Sequence, residues 1–144
     1  MLKVQLLAPG AIAPTVAHPG EDLGYDLYAL EAITLPPQGH AKVRTGIAVE
    51  ARHPHSGEPL GLLVRDRSSV AGKGVFATAG VIDAGYRGEI LILLTNQSAC
   101  PFPIEAGHKI AQIIPMPVLT GPVTIAESLE ESSRGGKGFG SSGR

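Results

Sequence analysis

A single cysteine, Cys100, in a chain of 144 residues rules out an intramolecular disulfide framework and points to a reducing compartment. There is no CxxC pair and no His/Cys cluster, so the chain carries no zinc signature, and its five histidines show no ligand spacing. Charge is scarce too: Asp, Glu, Lys and Arg make up 17% and nearly cancel to a formal net charge of −1. Duplex nucleic-acid binders need a basic footprint that this composition lacks, which leaves room only for a local cationic site. Long apolar runs are also missing. The longest pure aliphatic run is Ile90–Leu94, far short of a membrane span, and Pro9, Gly10 and Pro14 interrupt any signal-peptide core. These absences predict a soluble, cytoplasmic protein with neither nucleic acid nor membrane as partner.

What the chain does have is apolar residues, at 43%, cut into short segments by 19 glycines and 12 prolines. That is enough for one domain with a sizeable core, built from strands and turns rather than long helices. Leu2, Val4 and Leu6 alternate with polar neighbours, and Ala41, Val43, Thr45, Ile47 and Val49 keep a period of two. Leu60–Val64 is a third candidate strand. Glu89–Asn96 is aliphatic enough for a strand buried on both faces, and Lys109–Ile114 reads as a strand stopped by Pro115 and Pro117. Only Ser68–Gly74 offers a short helical turn. The fold class predicted is all-β, a jelly-roll-like distorted β-barrel with at most one short helix. Residues 1–120 form the barrel and 121–144 an extended C-terminal arm within the same unit. Because small β-domains leave edges and apolar surface, an arm exchanged within a homo-oligomer is expected.

Five segments carry chemistry. In Gly20–Tyr28, Asp26 sits between Tyr25 and Leu27 where a strand begins, so its carboxylate needs a cation, a metal or backbone amides; a turn or cap acid is the plainer reading. Arg65-Asp-Arg-Ser-Ser69 offers the planar fork of Arg67 and the hydroxyls of Ser68 and Ser69 to phosphate, or a helix cap beside an ordinary Asp66–Arg ion pair. Ile82 and Ile90 bracket a hairpin with Gly85 near its tip, from which Asp83 and Tyr86 rise as a base and a stacking ring, or as turn and surface residues. Gln112 shares a face with Ile110 and Ile114 by period two, and its amide must find a partner, with backbone favoured over ligand. The closing run Arg134-Gly-Gly-Lys-Gly-Phe-Gly-Ser-Ser-Gly-Arg144 combines nest-forming glycines, cations, hydroxyls and one ring. It suits a phosphate chain plus a base, although such termini are usually polar tails. It is not a Walker loop, since Lys137 is followed by Gly138 and no Gly-Lys-Ser/Thr ending exists.

Taken in order, these segments resemble the five motifs of the trimeric deoxyuridine triphosphate nucleotidohydrolases (dUTPases). Gly24-Tyr-Asp-Leu27 matches the first, Arg67-Ser-Ser-Val-Ala71 the second and Gly80-Val-Ile-Asp-Ala-Gly-Tyr-Arg-Gly-Glu89 the third. Gly107-His-Lys-Ile-Ala-Gln-Ile-Ile114 resembles the fourth and Arg134 to Gly143 the fifth. The resemblance implies a jelly-roll homotrimer with active sites shared between subunits, hydrolysing dUTP to dUMP and pyrophosphate with Mg²⁺ on the triphosphate. By the same resemblance Asp83 activates the water, Tyr86 packs beneath the deoxyribose, and the main chain at Gly80 and Val81 reads uracil. Asp26 holds the metal through water. Arg67, Ser68, Ser69 and Gln112 bind phosphates, Phe139 and Gly140 close over the base, and Arg134, Ser141 and Ser142 take the outer phosphates.

The chain departs from the pattern at Asp66, where Pro or Gly is common, and at Ala77, where some members carry Asn. Gly85 replaces a common acid, and Lys109 stands where Arg is common. The related dCTP deaminases need a Glu where this chain has Leu93, and lack the terminal glycine-rich motif. A non-catalytic nucleotide-binding barrel is the remaining alternative.

Overall fold

The computed structural model describes residues 1–133, 135 and 136. Among these residues, eleven strands and one helical turn follow in order: β1 (Leu2–Leu6), β2 (Tyr25–Tyr28), β3 (Ile33–Leu35), β4 (His40–Arg44), β5 (Ile47–Arg52), β6 (Pro59–Arg65), α1 (Ser68–Ala71), β7 (Val75–Thr78), β8 (Val81–Ile82), β9 (Leu91–Asn96), β10 (Phe102–Ile104) and β11 (Lys109–Pro117). Every pairing between them is antiparallel. One sheet runs β1-β5-β6-β11-β2 with β8 attached to β6, a second pairs β10 with β3, and a third runs β4-β9-β7. Their inner faces meet in one apolar cluster that includes Leu27, Leu35, Val43, Ile47, Ile92, Leu94 and Ile113. This is the expected all-β, jelly-roll architecture with one short helix. No helix among the described residues is long and apolar enough to cross a membrane.

Several boundaries differ from those the periodicity predicts. The alternation across residues 41–49 is not one strand. Gly46, at φ +69°, breaks it so that β4 stays in the three-stranded sheet while β5 enters the large one. A Cβ there would come within 2.9 Å of the Ala11 side chain and 3.0 Å of Leu30, so the corner requires glycine. Strand β11 does not stop at Pro115. It continues with Pro115 opposite Leu62 and Pro117 opposite Leu60. Its pairing with β2 ends at Ile113, which leaves one edge open where prolines lack an N–H to offer.

Strand β9 is not buried on both faces. Ile92, Leu94 and Asn96 point inward while Leu91 is exposed. Asn96, fully buried, is a polar hub: its amide donates to the carbonyls of Leu35, Pro36 and Cys100 and its oxygen accepts from Ser98. A buried amide with all its partners rigidifies the loop it holds. Beyond β11, residues 118–133 form no regular element, and Leu119, Val123, Ile125 and Leu129 are each about nine-tenths exposed or more.

Candidate active site

Among the described residues, the predicted site residues fall into two groups. The first gathers where β2, β11 and the end of β6 run side by side. Register places Gln112 opposite Asp26 on one flank and opposite Arg65 on the other. Asp26 is half-buried and both carboxylate oxygens are engaged, Oδ1 by Arg67 Nε and Oδ2 by Lys109 Nζ, each at 2.8 Å. The hydrogen bond and charge of Asp26 raise the Lys109 pKa above its ordinary value. The cation that Asp26 needs is therefore met twice, by two residues that spacing alone did not single out as its partners. Arg67 and Lys109 also line a cleft of about 350 Å³ together with Lys73, Phe102 and His108.

Gln112 resolves as expected in kind. Its Nε2 donates to the backbone carbonyl of Asp66 at 2.9 Å. It is half-buried rather than buried, because the register shifts between Lys109 and Ala111, turning both Ile110 and Ala111 inward. Gly24 makes room for it: a Cβ there would lie 2.5 Å from Gln112 Oε1. Ser68 and Ser69 are exposed at the start of α1, but neither caps it. The capping position is Arg67, with no side-chain cap bond. The expected Asp66–Arg pair is not among the ion pairs of the described residues. Asp66 instead accepts a hydrogen bond from the Ala77 amide at 2.5 Å.

The second group surrounds the third motif, which is not a hairpin. Strand β8 pairs with β6, whereas β9 pairs with β4 and β7. Residues 83–90 therefore cross from one sheet to another. The crossing is held at both ends. A turn closes with the Tyr86 amide donating to the Asp83 carbonyl at 3.0 Å, and the Tyr86 hydroxyl donates to the Glu89 carbonyl at 3.0 Å. The ring lies back over Gly88, where a Cβ would meet the Tyr86 oxygen at 2.5 Å. At the far end Glu89 receives Arg44 at 3.2 Å and the Gly46 amide at 2.8 Å. Burial pushes the Glu89 carboxyl up, but these donors outweigh it and leave its pKa below the ordinary value. The position ends the matched motif, and nothing in its spacing marked it as an anchor.

Asp83 is exposed and belongs to none of the ion pairs among the described residues. With Ala79, Val81, Tyr86 and Leu91 it lines a cavity of about 200 Å³. The Gly80 carbonyl accepts from the Val64 amide at 2.7 Å, fixing the backbone at the mouth. Val81, three-quarters exposed, is an open apolar edge of that mouth. Among the described residues, this cavity and the Arg67–Lys109 cleft share no lining residue. The fifth-motif residues Arg134, Phe139, Gly140, Ser141 and Ser142 lie outside the described residues.

The dUTPase family model matches residues 11–143. The chain is 40% identical to the deoxyuridine 5'-triphosphate nucleotidohydrolase of Picosynechococcus sp., covering 99% of this chain and 98% of that protein. It is 41% identical to the Clostridium tetani protein of the same name, covering 99% and 97%. Among solved structures, the Staphylococcus bacteriophage 80alpha dUTPase with dUpNHpp superimposes with a TM-score of 0.90 at 31% identity, covering 100% of this chain and 99% of that one. A point mutant of the dUTPase from phage phi11 of S. aureus, described for its coordination of a structural Mg(II) ion, gives 0.80 at 27% identity, covering 91% and 99%.

Proposed function

Because the chain belongs to the dUTPase family and is an enzyme of the dUTP diphosphatase type, we propose that it cleaves dUTP by in-line attack of water on the α-phosphorus. Asp83 takes the proton from the water as its oxygen bonds to phosphorus, and the bond to the bridging oxygen of the β-phosphate breaks, releasing dUMP and pyrophosphate. Asp83 suits the role because it is exposed at the edge of a cavity, outside every ion pair of the described residues, on a turn fixed by its neighbours. Tyr86 packs beneath the deoxyribose, where a 2′-hydroxyl would collide with the ring. The pinned main chain at Gly80 and Val81 reads uracil by its amide and carbonyl groups and leaves no space for a 5-methyl group.

Arg67, Ser68, Ser69 and Gln112 bind the phosphates, while Arg134, Ser141 and Ser142 take the outer ones and Phe139 with Gly140 covers the base. Phosphoryl transfer of this kind needs positioning and charge neutralisation more than covalent help, and these groups supply both. No cluster of three or more His, Cys, Asp or Glu side chains among the described residues could hold a resident metal, and both Asp26 oxygens already face cations. Asp26, whose carboxylate stands beside Arg67, is the residue that would hold a magnesium ion arriving on the triphosphate. When bound, the ion neutralises charge on the phosphate oxygens.

The single observation that carries the reading is the separation of the base-side cavity at Asp83 from the phosphate-side cleft at Arg67. On this reading the two are complementary halves of nucleotide sites, each completed by a neighbouring copy. A homotrimer joins them, with residues 121–144 crossing as an arm from the barrel of residues 1–120. The exposed Val123, Ile125 and Leu129 are apolar groups such an arm would bury on a neighbour. The cellular role that follows is cytoplasmic: supplying dUMP for thymidylate synthesis and keeping uracil out of DNA.

The test is pyrophosphate release from dUTP beside dCTP, UTP and dTTP with magnesium, for the native protein and Asp83→Asn. Native protein should turn over dUTP selectively. Asp83→Asn should keep a near-normal KM and lose at least about a hundredfold in kcat. Intact dUTP with the native protein, or near-native turnover by the variant, would remove the assignment.

A further inference from the structure

Asp66 and Ala77, two positions at which the chain departs from the family pattern, meet in one hydrogen bond. Among the described residues, strand β7 is paired along one edge only, to β9, with Ala77 opposite Leu94. The Ala77 amide turns the other way, toward the end of β6, and donates to Asp66 Oδ1. The carboxylate therefore satisfies a half-buried edge N–H that none of the described strands reaches. The same residue's backbone carbonyl accepts from Gln112 on β11. Asp66 thus joins three strands at the point where the chain enters Arg67 and α1.

What lies between these ties gives them meaning. From Ala77 the chain passes through Thr78 and Ala79 to Gly80, whose carbonyl is bonded to the Val64 amide. Ala79 takes φ +53°, a left-handed conformation that an alanine holds only when its surroundings impose it. The segment is pinned to the end of β6 at both ends, by Asp66 to Ala77 and by Val64 to Gly80. Without the first tie, Ala79 could relax and carry Gly80 and Val81 with it.

We propose that Asp66 is a positioning residue: its carboxylate–amide bond to Ala77 sets the backbone of the base slot at Gly80 and Val81 against the end of β6. It also turns a negative charge inward, away from the incoming triphosphate. The proposal rests on the reading of Gly80 and Val81 as the base slot, and it predicts that acceptor geometry at position 66 matters while its charge does not.

Asp66→Asn keeps an oxygen that can accept from the Ala77 amide; Asp66→Ala removes it. Two readouts on the full-length protein test this. Amide hydrogen exchange at Ala77 should speed up by about tenfold or more in Asp66→Ala and stay slow in Asp66→Asn. The ratio of kcat/KM for dUTP to that for dTTP should fall by about tenfold in Asp66→Ala, mainly through a raised KM for dUTP, and return to near native in Asp66→Asn. A loss of folding stability alone would not move that ratio. Unchanged exchange at Ala77 in Asp66→Ala, an unchanged ratio, or Asp66→Asn behaving like Asp66→Ala would overturn the proposal. If the native protein left dUTP intact, the functional reading would fail, while the exchange data would still decide whether the tie exists.

Discussion

Gly80→Ala offers a direct measure of how rigid the proposed base slot is. An added Cβ would lie 2.6 Å from the Val64 carbonyl oxygen and 3.2 Å from Val64 Cβ. The nearer obstacle is backbone within β6, a strand paired to β5, β8 and β11, so it cannot swing aside as a flexible side chain could. Restoring an ordinary contact of 3.4 Å demands that residue 80 move by about 0.8 Å. That movement stretches the 2.7 Å bond from the Val64 amide to the Gly80 carbonyl. Overpacking of this kind costs about 1–3 kcal/mol and a weakened backbone bond about 1 kcal/mol more, so a loss of about 2–4 kcal/mol is expected.

If that main chain reads the base as proposed, displacing it by most of an ångström should also lower kcat/KM for dUTP by about tenfold to a hundredfold. Urea denaturation gives the first quantity and steady-state pyrophosphate release the second. A variant that kept native stability and native kcat/KM would show that this backbone gives way freely, and the argument for a fixed slot would collapse.

Two further perturbations probe the crossing loop. Tyr86→Ala removes the ring that closes over Gly88 and should raise UTP hydrolysis relative to dUTP; an unchanged ratio in paired kinetic assays would take the sugar-gating role from Tyr86. Glu89 has a folded pKa held below its ordinary 4.5 by Arg44 and the Gly46 amide against the opposing pull of burial. Its contribution to stability is therefore fully present above about pH 4.5 and is lost as pH falls through the lower folded value. Denaturation midpoints between neutral pH and about pH 3 should fall more steeply for the native protein than for Glu89→Gln; parallel curves would mean that the Arg44–Glu89 pair does not secure the loop.

The order of the five motifs along the chain, and with it the family, was legible in the residues themselves. So was the all-β class, because frequent glycine and proline leave segments too short for helices, and the short turn at Ser68–Ala71 was placed correctly. The failures share one cause. Periodicity reports which face of a strand is buried but not which strand lies beside it. Ile82 and Ile90 looked like two arms of a hairpin, yet one pairs with β6 and the other leads into the β4-β9-β7 sheet. Residues 41–49 keep a clean alternation through Gly46 although the chain changes sheets there. Pro115 and Pro117 looked like stops because nothing local shows that one edge of β11 is free.

The partners of charged groups were hidden for the same reason. Asp26 lies 41 positions from Arg67 and 83 from Lys109 in the chain, yet all three meet in one ion cluster. Chemistry at a residue is carried by its own atoms, so the sequence by itself determined which acids, cations and glycines the protein has to work with and in what order. Proximity is set by closing long loops against entropy to bury a common core. Only the tertiary structure decided that Asp66 faces Ala77, that Glu89 clasps Arg44, and that Asp83 stands at the mouth of a cavity, apart from the ion pairs of the described residues.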